Sequence, residues 1–206
     1  MITIIDYGSG NIQAIANIYD SLHVPHKIAR SPEDVVGAEK LFLPGVGAFD
    51  ETISVLDGIG FREVLDREVL INNVPIIGIC VGMQILAESS EEGDLPGLGY
   101  IKGKVRKIDQ SLLLHKPKLP HLGWNSVQEK KRSELMVDID SSKGFYFLHS
   151  YHFDCEDEQD ILTTTDYGRT FISSVQHGHI FGVQFHPEKS HSNGIRLLHN
   201  FALRIC

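Results

Sequence analysis

The first half of the chain alternates short, continuously apolar runs with segments whose apolar residues recur at helical spacing. The predicted strands are 2–6, 26–29, 40–43 and 74–80, and the predicted helices are 11–22, about 61–70 and about 81–87. Strands that alternate with helices form parallel βαβ units with right-handed crossovers. The pattern therefore predicts an α/β fold with a doubly wound, mixed but mostly parallel sheet and helices on both faces.

The second half of the chain changes character, because short strand-like runs follow one another without helical segments until the end. The predicted strands are 100–108, 145–148, 161–165, 171–176 and 180–184. Segment 112–125 contains two prolines and has no clear period, so it is predicted to be a long surface loop. A last helix is predicted at 194–205, with the following residues facing the core: Ile195, Leu197, Leu198, Phe201, Ala202 and Ile205.

Length and composition point to one domain that spans residues 1–206. The 206-residue chain is 42% hydrophobic, which allows one sizeable core, and no repeat or linker divides it. Its 19 basic and 27 acidic residues give a net charge of −8, and no basic stretch carries interleaved aromatics, so no nucleic-acid partner is expected. The N-terminus lacks a basic region and no apolar run approaches the length of a membrane span, which predicts no membrane association and a cytoplasmic location.

Cysteine usage excludes two kinds of site. The three cysteines, Cys80, Cys155 and Cys206, are odd in number, widely spaced and free of any C-x-x-C pattern. This argues against a disulfide scaffold and against a structural zinc site. No clustered set of histidine, cysteine and acidic residues has metal-ligand spacing either, so no metal is expected.

Cys80 lies in the sequence Gly78-Ile79-Cys80-Val81-Gly82, which matches a nucleophile elbow between a strand and a helix. In such an elbow the nucleophile occupies a strained turn, and its small neighbours allow close backbone packing. The turn would present the sulfur at the carboxyl end of the sheet, where open α/β folds bind ligands. The helix that follows would favour the thiolate. A structural cysteine buried in the core is the alternative.

A base for this thiol is predicted at the end of another strand. His186 is followed by Pro187 and Glu188, and the proline ends the strand, so both side chains can turn toward one cleft. A carboxylate beside the far ring nitrogen would orient the imidazole and stabilise its protonated form. His186 is therefore the candidate base and Glu188 its orienting carboxylate.

Two glycine-rich turns follow other predicted strands. Pro44-Gly45-Val46-Gly47 could turn backbone N–H groups toward an oxyanion, with a further donor from the N–H of Val81. The turn 6–11 invites a dinucleotide-binding interpretation, but Gln13 stands where that motif needs a third glycine. No P-loop pattern is present, and no cofactor is expected.

With these motifs in place, the chain resembles the class I (triad) glutamine amidotransferases over essentially its whole length. The matching motifs are DYGSGN, LPGVGAF, GICVGMQ, LPHLGWN, FYFLHSY and QFHPEKS. Within that family, PHLGWN and HPEKS are most similar to the glutaminase subunits of imidazole glycerol phosphate synthases. The resemblance implies that the chain hydrolyses L-glutamine to L-glutamate and ammonia through a cysteine thioester.

The resemblance also implies residue roles. Cys80 would attack the carboxamide of glutamine, His186 would transfer protons, and Glu188 would orient His186. The peptides of Val46 and Gly47 match the oxyanion strand of the family, which is misaligned until a partner binds. The implied substrate-binding residues are Gln84, Ser150 and Tyr151, although an exposed helical Gln84 and a packing role for Tyr151 are alternatives.

A (βα)₈ synthase/cyclase subunit is the partner that the resemblance implies. It would receive the ammonia and make imidazole glycerol phosphate and AICAR in histidine biosynthesis. Asn11, Trp124 and Lys189 match positions that face this subunit. Trp124 is the only tryptophan and lies in the predicted loop, where it is either an interface anchor or an aromatic that covers the loop.

Three other functions remain alternatives at this point. Closely similar glutaminase subunits feed ammonia to sugar amidotransferases in surface-polysaccharide pathways, and the catalytic residues do not separate the two. A DJ-1-like cysteine hydrolase would share the elbow but gives no reason for Glu188 or Gln84. A non-enzymatic binding subunit would be expected to lack a member of the triad, and here all three residues are present.

Overall fold

The computed structural model describes residues 1–113 and 119–205. The strands of the described chain are β1 Ile2–Ile5, β2 His26–Ala29, β3 Lys40–Gly45, β4 Ile76–Cys80, β5 Ser89–Ser90, β6 Gly103–Lys107, β7 His121–Asn125, β8 Gln128–Glu129, β9 Phe145–His149, β10 Tyr151–Cys155, β11 Ile161–Tyr167, β12 Arg169–His177 and β13 Ile180–Val183. The α-helices are α1 Ile12–Ser21, α2 Phe49–Ile59, α3 Phe61–Leu65, α4 Val81–Gln84 and α5 His191–Leu203, and a π-helical turn Asp66–Ile71 follows α3.

The main sheet has a parallel half that carries the carboxyl ends of five neighbouring strands to one edge. Its strand order is β2-β1-β3-β4-β13, continuing through the antiparallel strands β12, β10 and β6 to β5. Gly45 pairs with Cys80 at the ends of β3 and β4, and Val183 pairs with Ile79 across β13 and β4. The register therefore places the Pro44 turn, Cys80 and the segment after β13 at the same edge.

The helices cover both faces of this sheet, as the sequence predicts. The chain moves from β1 to β2 in one direction and from β3 to β4 in the other, and right-handed crossovers then put α1 and α2 on opposite faces. Helix α5 packs against α1, whereas α2 contacts α3 and α4. Fully buried strand residues such as Ile4, Phe42, Ile77 and Val183 form the core between these layers.

The prediction of a surface loop at 112–125 is wrong for residues 121–125, which form a strand. Strand β7 pairs with β9 in a separate antiparallel sheet, in which His121 lies opposite His149 and Trp124 lies opposite Tyr146. Exposure alternates along β7, because His121 is buried while Leu122 and Trp124 are exposed. The two-residue period covers only five residues after the prolines, too few to stand out. Residues 114–118 of that prediction lie outside the described chain.

Several predicted helices have different limits. Helix α4 ends at Gln84 rather than near residue 87, because the N–H groups of Leu86 and Ala87 donate to carbonyls three residues back instead of four. Helix α2 was not predicted, although its buried residues have helical spacing. Helix α5 runs from His191 to Leu203. Ile195 was predicted to face the core, but its side chain is 40% exposed.

Candidate active site

Cys80 occupies a strained turn between β4 and α4. Its backbone φ of 55° and ψ of −113° lie in a region that non-glycine residues rarely adopt, at a cost of about 1–3 kcal/mol. A Cβ on Gly82 would lie 2.1 Å from the carbonyl oxygen of Leu43, and one on Gly78 would lie 2.4 Å from the carbonyl oxygen of Gly82. The glycines on both sides of Cys80 are therefore required by backbone contact, as a nucleophile elbow demands.

His186 and Glu188 form a buried ion pair beside the elbow. The Nδ1 atom of His186 lies 2.9 Å from Oε1 of Glu188, and the two side chains are only 3% and 4% exposed. The hydroxyl of Ser190 donates to the carbonyl of His186 at 2.6 Å, while the His186 N–H donates to the carbonyl of Tyr146 at 2.8 Å. The bond to Tyr146 joins the segment after β13 to β9.

The surroundings of His186 favour its protonated form. Burial alone would lower the pKa of His186, but the hydrogen bond with the Cys80 sulfur and the contact with the Glu188 carboxylate outweigh burial and raise it well above its usual range. Because Nδ1 is bound to Glu188, the other ring nitrogen is the one that faces Cys80. The three side chains therefore form the series of thiol, imidazole and carboxylate that proton transfer to and from the sulfur requires.

A cavity of about 290 Å³ opens above Cys80. Such a volume is at the lower end for ligand pockets and suits one small polar molecule. The predicted oxyanion residues Val46, Gly47 and Val81 line it, together with the predicted substrate-binding residues Gln84, Ser150 and Tyr151. The remaining lining residues are Cys80, Glu92, Pro120, Leu148, His149, His186 and Lys189.

Gln84 is a buried cavity residue and not an exposed helical one, because its side chain is only 3% exposed. Its Nε2 donates to the carbonyl of Tyr151 at 3.2 Å and to Oε1 of Gln184 at 3.0 Å. Gln184 in turn places its Nε2 3.7 Å from the sulfur of Cys80. Sequence reasoning missed Gln184, although it stands two residues before His186 in the QFHPEKS motif.

The Pro44 loop is held by the turn that follows β1. The N–H of Val46 donates to the hydroxyl oxygen of Ser9 at 2.9 Å, and that hydroxyl donates back to the carbonyl of Val46 at 2.7 Å. Gly47 has a φ of 111°, which favours glycine. In this conformation the Val46 N–H is directed to Ser9 rather than to the space above Cys80. The oxyanion role of Val46, Gly47 and Val81 stays a prediction.

The three residues predicted at a partner interface are all exposed. Asn11 accepts a hydrogen bond from the N–H of Ala14 at 3.4 Å and so caps α1. Trp124 is 46% exposed and its ring stacks on His191, with centroids 5.2 Å apart. Lys189 lies over the ring of Tyr146, at 5.7 Å. Leu122 and Leu148, opposite one another in β7 and β9, are exposed beside Trp124.

Two buried histidines that the sequence reasoning did not single out support the cavity wall. Nδ1 of His149 lies 2.7 Å from the carbonyl of Tyr151, and its Nε2 lies 3.0 Å from Nδ1 of His121. Burial lowers the pKa of His149 to about 3 and that of His121 to about 4. Both rings are therefore neutral at pH 7, and because a carbonyl only accepts, His149 donates from Nδ1 and accepts from His121.

The described ranges 1–113 and 119–205 contain no group of three or more His, Cys, Asp or Glu side chains that could hold a metal ion. Within the same ranges, every helix is too short or too polar to cross a bilayer. The turn 6–11 caps α1 through Asn11, as expected for a strand-to-helix turn.

Known proteins resemble the chain over almost its whole length. The chain is 48% identical over 202 residues to the imidazole glycerol phosphate synthase subunit HisH of Bdellovibrio bacteriovorus, covering 98% of this chain and 99% of that protein. It is 45% identical to the protein of the same name from Leptospira interrogans, again covering 98% and 99% of the two chains.

Solved structures show the same fold at lower identity. The crystal structure of a glutamine amidotransferase aligns with a TM-score of 0.72 at 18% identity, over 99% of this chain and 97% of that one. A glutamine amidotransferase from Thermotoga maritima aligns with a TM-score of 0.64 at 16% identity, over 91% and 75% of the two chains. The family model of glutamine amidotransferase class-I matches residues 3–205, and this chain therefore belongs to the class-I glutamine amidotransferases.

Proposed function

We propose that this chain is a glutaminase subunit that hydrolyses L-glutamine to L-glutamate and ammonia through a γ-glutamyl thioester on Cys80. The observation that carries the proposal is the convergence of Cys80, His186 and Glu188 at one sheet edge, beneath a cavity that also holds Gln84. A DJ-1-like hydrolase would not account for the buried carboxylate behind His186 or for the amide network at Gln84.

The proposed reaction follows from the positions of the triad. The sulfur of Cys80 attacks the side-chain carbonyl of glutamine, and the imidazolium of His186 gives its proton to the departing ammonia. Glu188 holds Nδ1 of His186 and stabilises its positive charge, at 2.9 Å. Water, activated by the now neutral His186, then cleaves the thioester and releases glutamate.

The oxyanion of each tetrahedral intermediate needs preorganised donors. The N–H of Val81, directly after the nucleophile, is the candidate first donor, and a backbone N–H of the Val46-Gly47 segment is the candidate second one. The Val46 N–H is bound to Ser9, so the loop must move before this N–H can donate to an oxyanion. We therefore propose that the isolated chain is nearly inactive and that a partner moves this loop.

We propose that the partner is a (βα)₈ synthase/cyclase subunit, and that the pair acts in the cytoplasm in histidine biosynthesis. Support comes from the relatives named imidazole glycerol phosphate synthase subunits. Further support comes from the exposed apolar side chains of Leu122, Trp124 and Leu148 next to the cavity, since such clusters mark interaction sites. Ammonia would pass from Cys80 to the partner, which makes imidazole glycerol phosphate and AICAR.

The test uses the chain together with the synthase subunit from the same genome. We expect glutamine hydrolysis that requires both subunits and disappears in Cys80→Ala, and a Cys80→Ala chain that still hydrolyses glutamine would disprove the proposal. A glutamine-directed diazo-ketone should modify Cys80, and absence of that modification would favour a DJ-1-like hydrolase. Activation by a sugar amidotransferase instead of the synthase subunit would assign the chain to polysaccharide synthesis.

A further inference from the structure

Gln184 is a fully buried amide that contacts the sulfur of the nucleophile. Its side chain has no exposed surface, and its backbone N–H donates to the carbonyl of Ser173 at 2.9 Å, which fixes its position after β13. Its amide lies between the sulfur of Cys80 and the amide of Gln84, at 3.7 and 3.0 Å. A buried amide in such a position has to satisfy its donors and acceptor within the protein.

The direction of this amide network is fixed by a backbone carbonyl. The carbonyl of Tyr151 can only accept, so the Gln84 atom 3.2 Å from it is the Nε2 donor. The same Nε2 donates its second hydrogen to Gln184, so the Gln184 atom facing it is Oε1. Consequently the NH₂ group of Gln184 is the part that faces the sulfur of Cys80.

The orientation of the Gln184 amide affects both Cys80 and Gln84. A neutral N–H aimed at sulfur stabilises the thiolate relative to the thiol, because hydrogen bonds to charged groups are the stronger ones. At the other end, both amide hydrogens of Gln84 are already used, so only its Oε1 is free to bind a ligand in the cavity. Gln84 can therefore recognise a hydrogen-bond donor, such as the ammonium group of a free amino acid.

We propose that Gln184 is a positioning residue of the glutaminase site that couples the nucleophile to the residue holding the substrate. Its NH₂ group favours the reactive thiolate of Cys80, and its Oε1 holds Gln84 with the acceptor toward the cavity. The proposal rests on the proposed function, because it takes Cys80 as the nucleophile and glutamine as the substrate. It assigns two separable effects to one side chain.

The two effects can be measured separately in Gln184→Met, which keeps the length of the side chain but removes its donors and its acceptor. The first readout is alkylation of Cys80 by iodoacetamide in the full chain, followed across pH by peptide mass spectrometry. We expect the midpoint of this pH profile to rise by about one pH unit, the size expected for one lost hydrogen bond to a charged sulfur. This readout needs neither substrate nor partner.

The second readout is glutamine hydrolysis by the complex with the synthase subunit. In Gln184→Met we expect KM for glutamine to rise about 10-fold, because Gln84 loses the acceptor that orients it. Gln84→Met should raise KM similarly but leave the alkylation profile unchanged, since Gln84 does not contact the sulfur. The double variant should raise KM no further than Gln84→Met alone, because both act through one hydrogen bond.

Gln176→Met provides the matched control, because Gln176 lies on β12 of the same sheet, near the turn to β13 and away from Cys80. It should change neither readout. An unchanged alkylation profile and an unchanged KM in a folded Gln184→Met would overturn the proposal about Gln184, while glutamine hydrolysis by that variant would leave the proposed function intact. If the unmodified chain with its partner does not hydrolyse glutamine, the proposed function itself fails.

Discussion

Removing the hydroxyl of Ser9 should activate the chain in the absence of its partner. In the structure this hydroxyl accepts from the N–H of Val46 at 2.9 Å and donates to the carbonyl of Val46 at 2.7 Å. One side chain thus holds both polar groups of the peptide segment that is proposed to supply an oxyanion donor. Ser9→Ala removes both bonds without adding bulk.

The size of the effect follows from those two hydrogen bonds. Each exposed bond contributes about 0.5–1 kcal/mol to the held conformation, so the loop becomes easier to turn by about 1–2 kcal/mol. Since 1.36 kcal/mol corresponds to a tenfold change, the partner-free rate should rise by about 5–30-fold. The rate in the complex should hardly change if, as proposed, the partner has already released the loop there.

The assay is glutamate release by the isolated chain, coupled to glutamate dehydrogenase. Ser21→Ala is the matched control, since its hydroxyl donates to the carbonyl of Ile18 within α1 at 2.7 Å and touches no cavity residue. A partner-free rate for Ser9→Ala that equals that of the unmodified chain, or falls below it, would refute the idea that Ser9 restrains the loop.

Three further predictions concern the triad and the interface. Glu188→Gln removes the negative charge beside His186, and kcat should fall by about 10³–10⁴-fold. Steady-state kinetics of the complex would measure this fall, and an unchanged circular dichroism spectrum would show that the variant is folded. Burial lowers the pKa of His186, but Cys80 and Glu188 raise it by more, so the imidazolium persists at neutral pH and kcat should fall at alkaline pH as this proton is lost. In Glu188→Gln that alkaline limb should move to lower pH, and an unmoved limb would contradict the assignment. Trp124→Ala should weaken partner binding by about 2 kcal/mol, or about 30-fold, in calorimetric titration. Ile71 is an exposed apolar residue before β4, at the far end of the sheet, so Ile71→Ala should leave partner binding unchanged.

The parts of the site that sequence predicts best are those encoded within a few neighbouring residues. The elbow at Cys80 needs glycines at the two positions where a Cβ would lie 2.1–2.4 Å from backbone atoms. The five consecutive residues 78–82 are therefore enough to predict the elbow. The pair His186 and Glu188 is likewise separated by a single proline. Such local signals do not depend on which strands become neighbours in the sheet.

The parts that sequence did not predict depend on pairings between distant residues. Strand β7 pairs with β9, which places His121 opposite His149, and the alternation along its five residues is too short to indicate this pairing. The contact of Gln184 with Cys80 spans 104 positions and follows from β13 lying beside β4. The bond between Ser9 and Val46 likewise joins turns that follow neighbouring strands β1 and β3. Strand order, which one sequence does not encode locally, sets all three contacts.

The most direct test of the central claim is to trap the covalent intermediate. The complex would be mixed with isotopically labelled glutamine, quenched in acid during turnover and digested, and the peptide containing Cys80 examined by mass spectrometry. We expect a γ-glutamyl group on the sulfur of Cys80 that disappears on treatment with hydroxylamine, as a thioester does. Two results would contradict a thioester on Cys80. Labelled glutamate would be released steadily while the label was found on another residue, or while Cys80 stayed unmodified at every quench time.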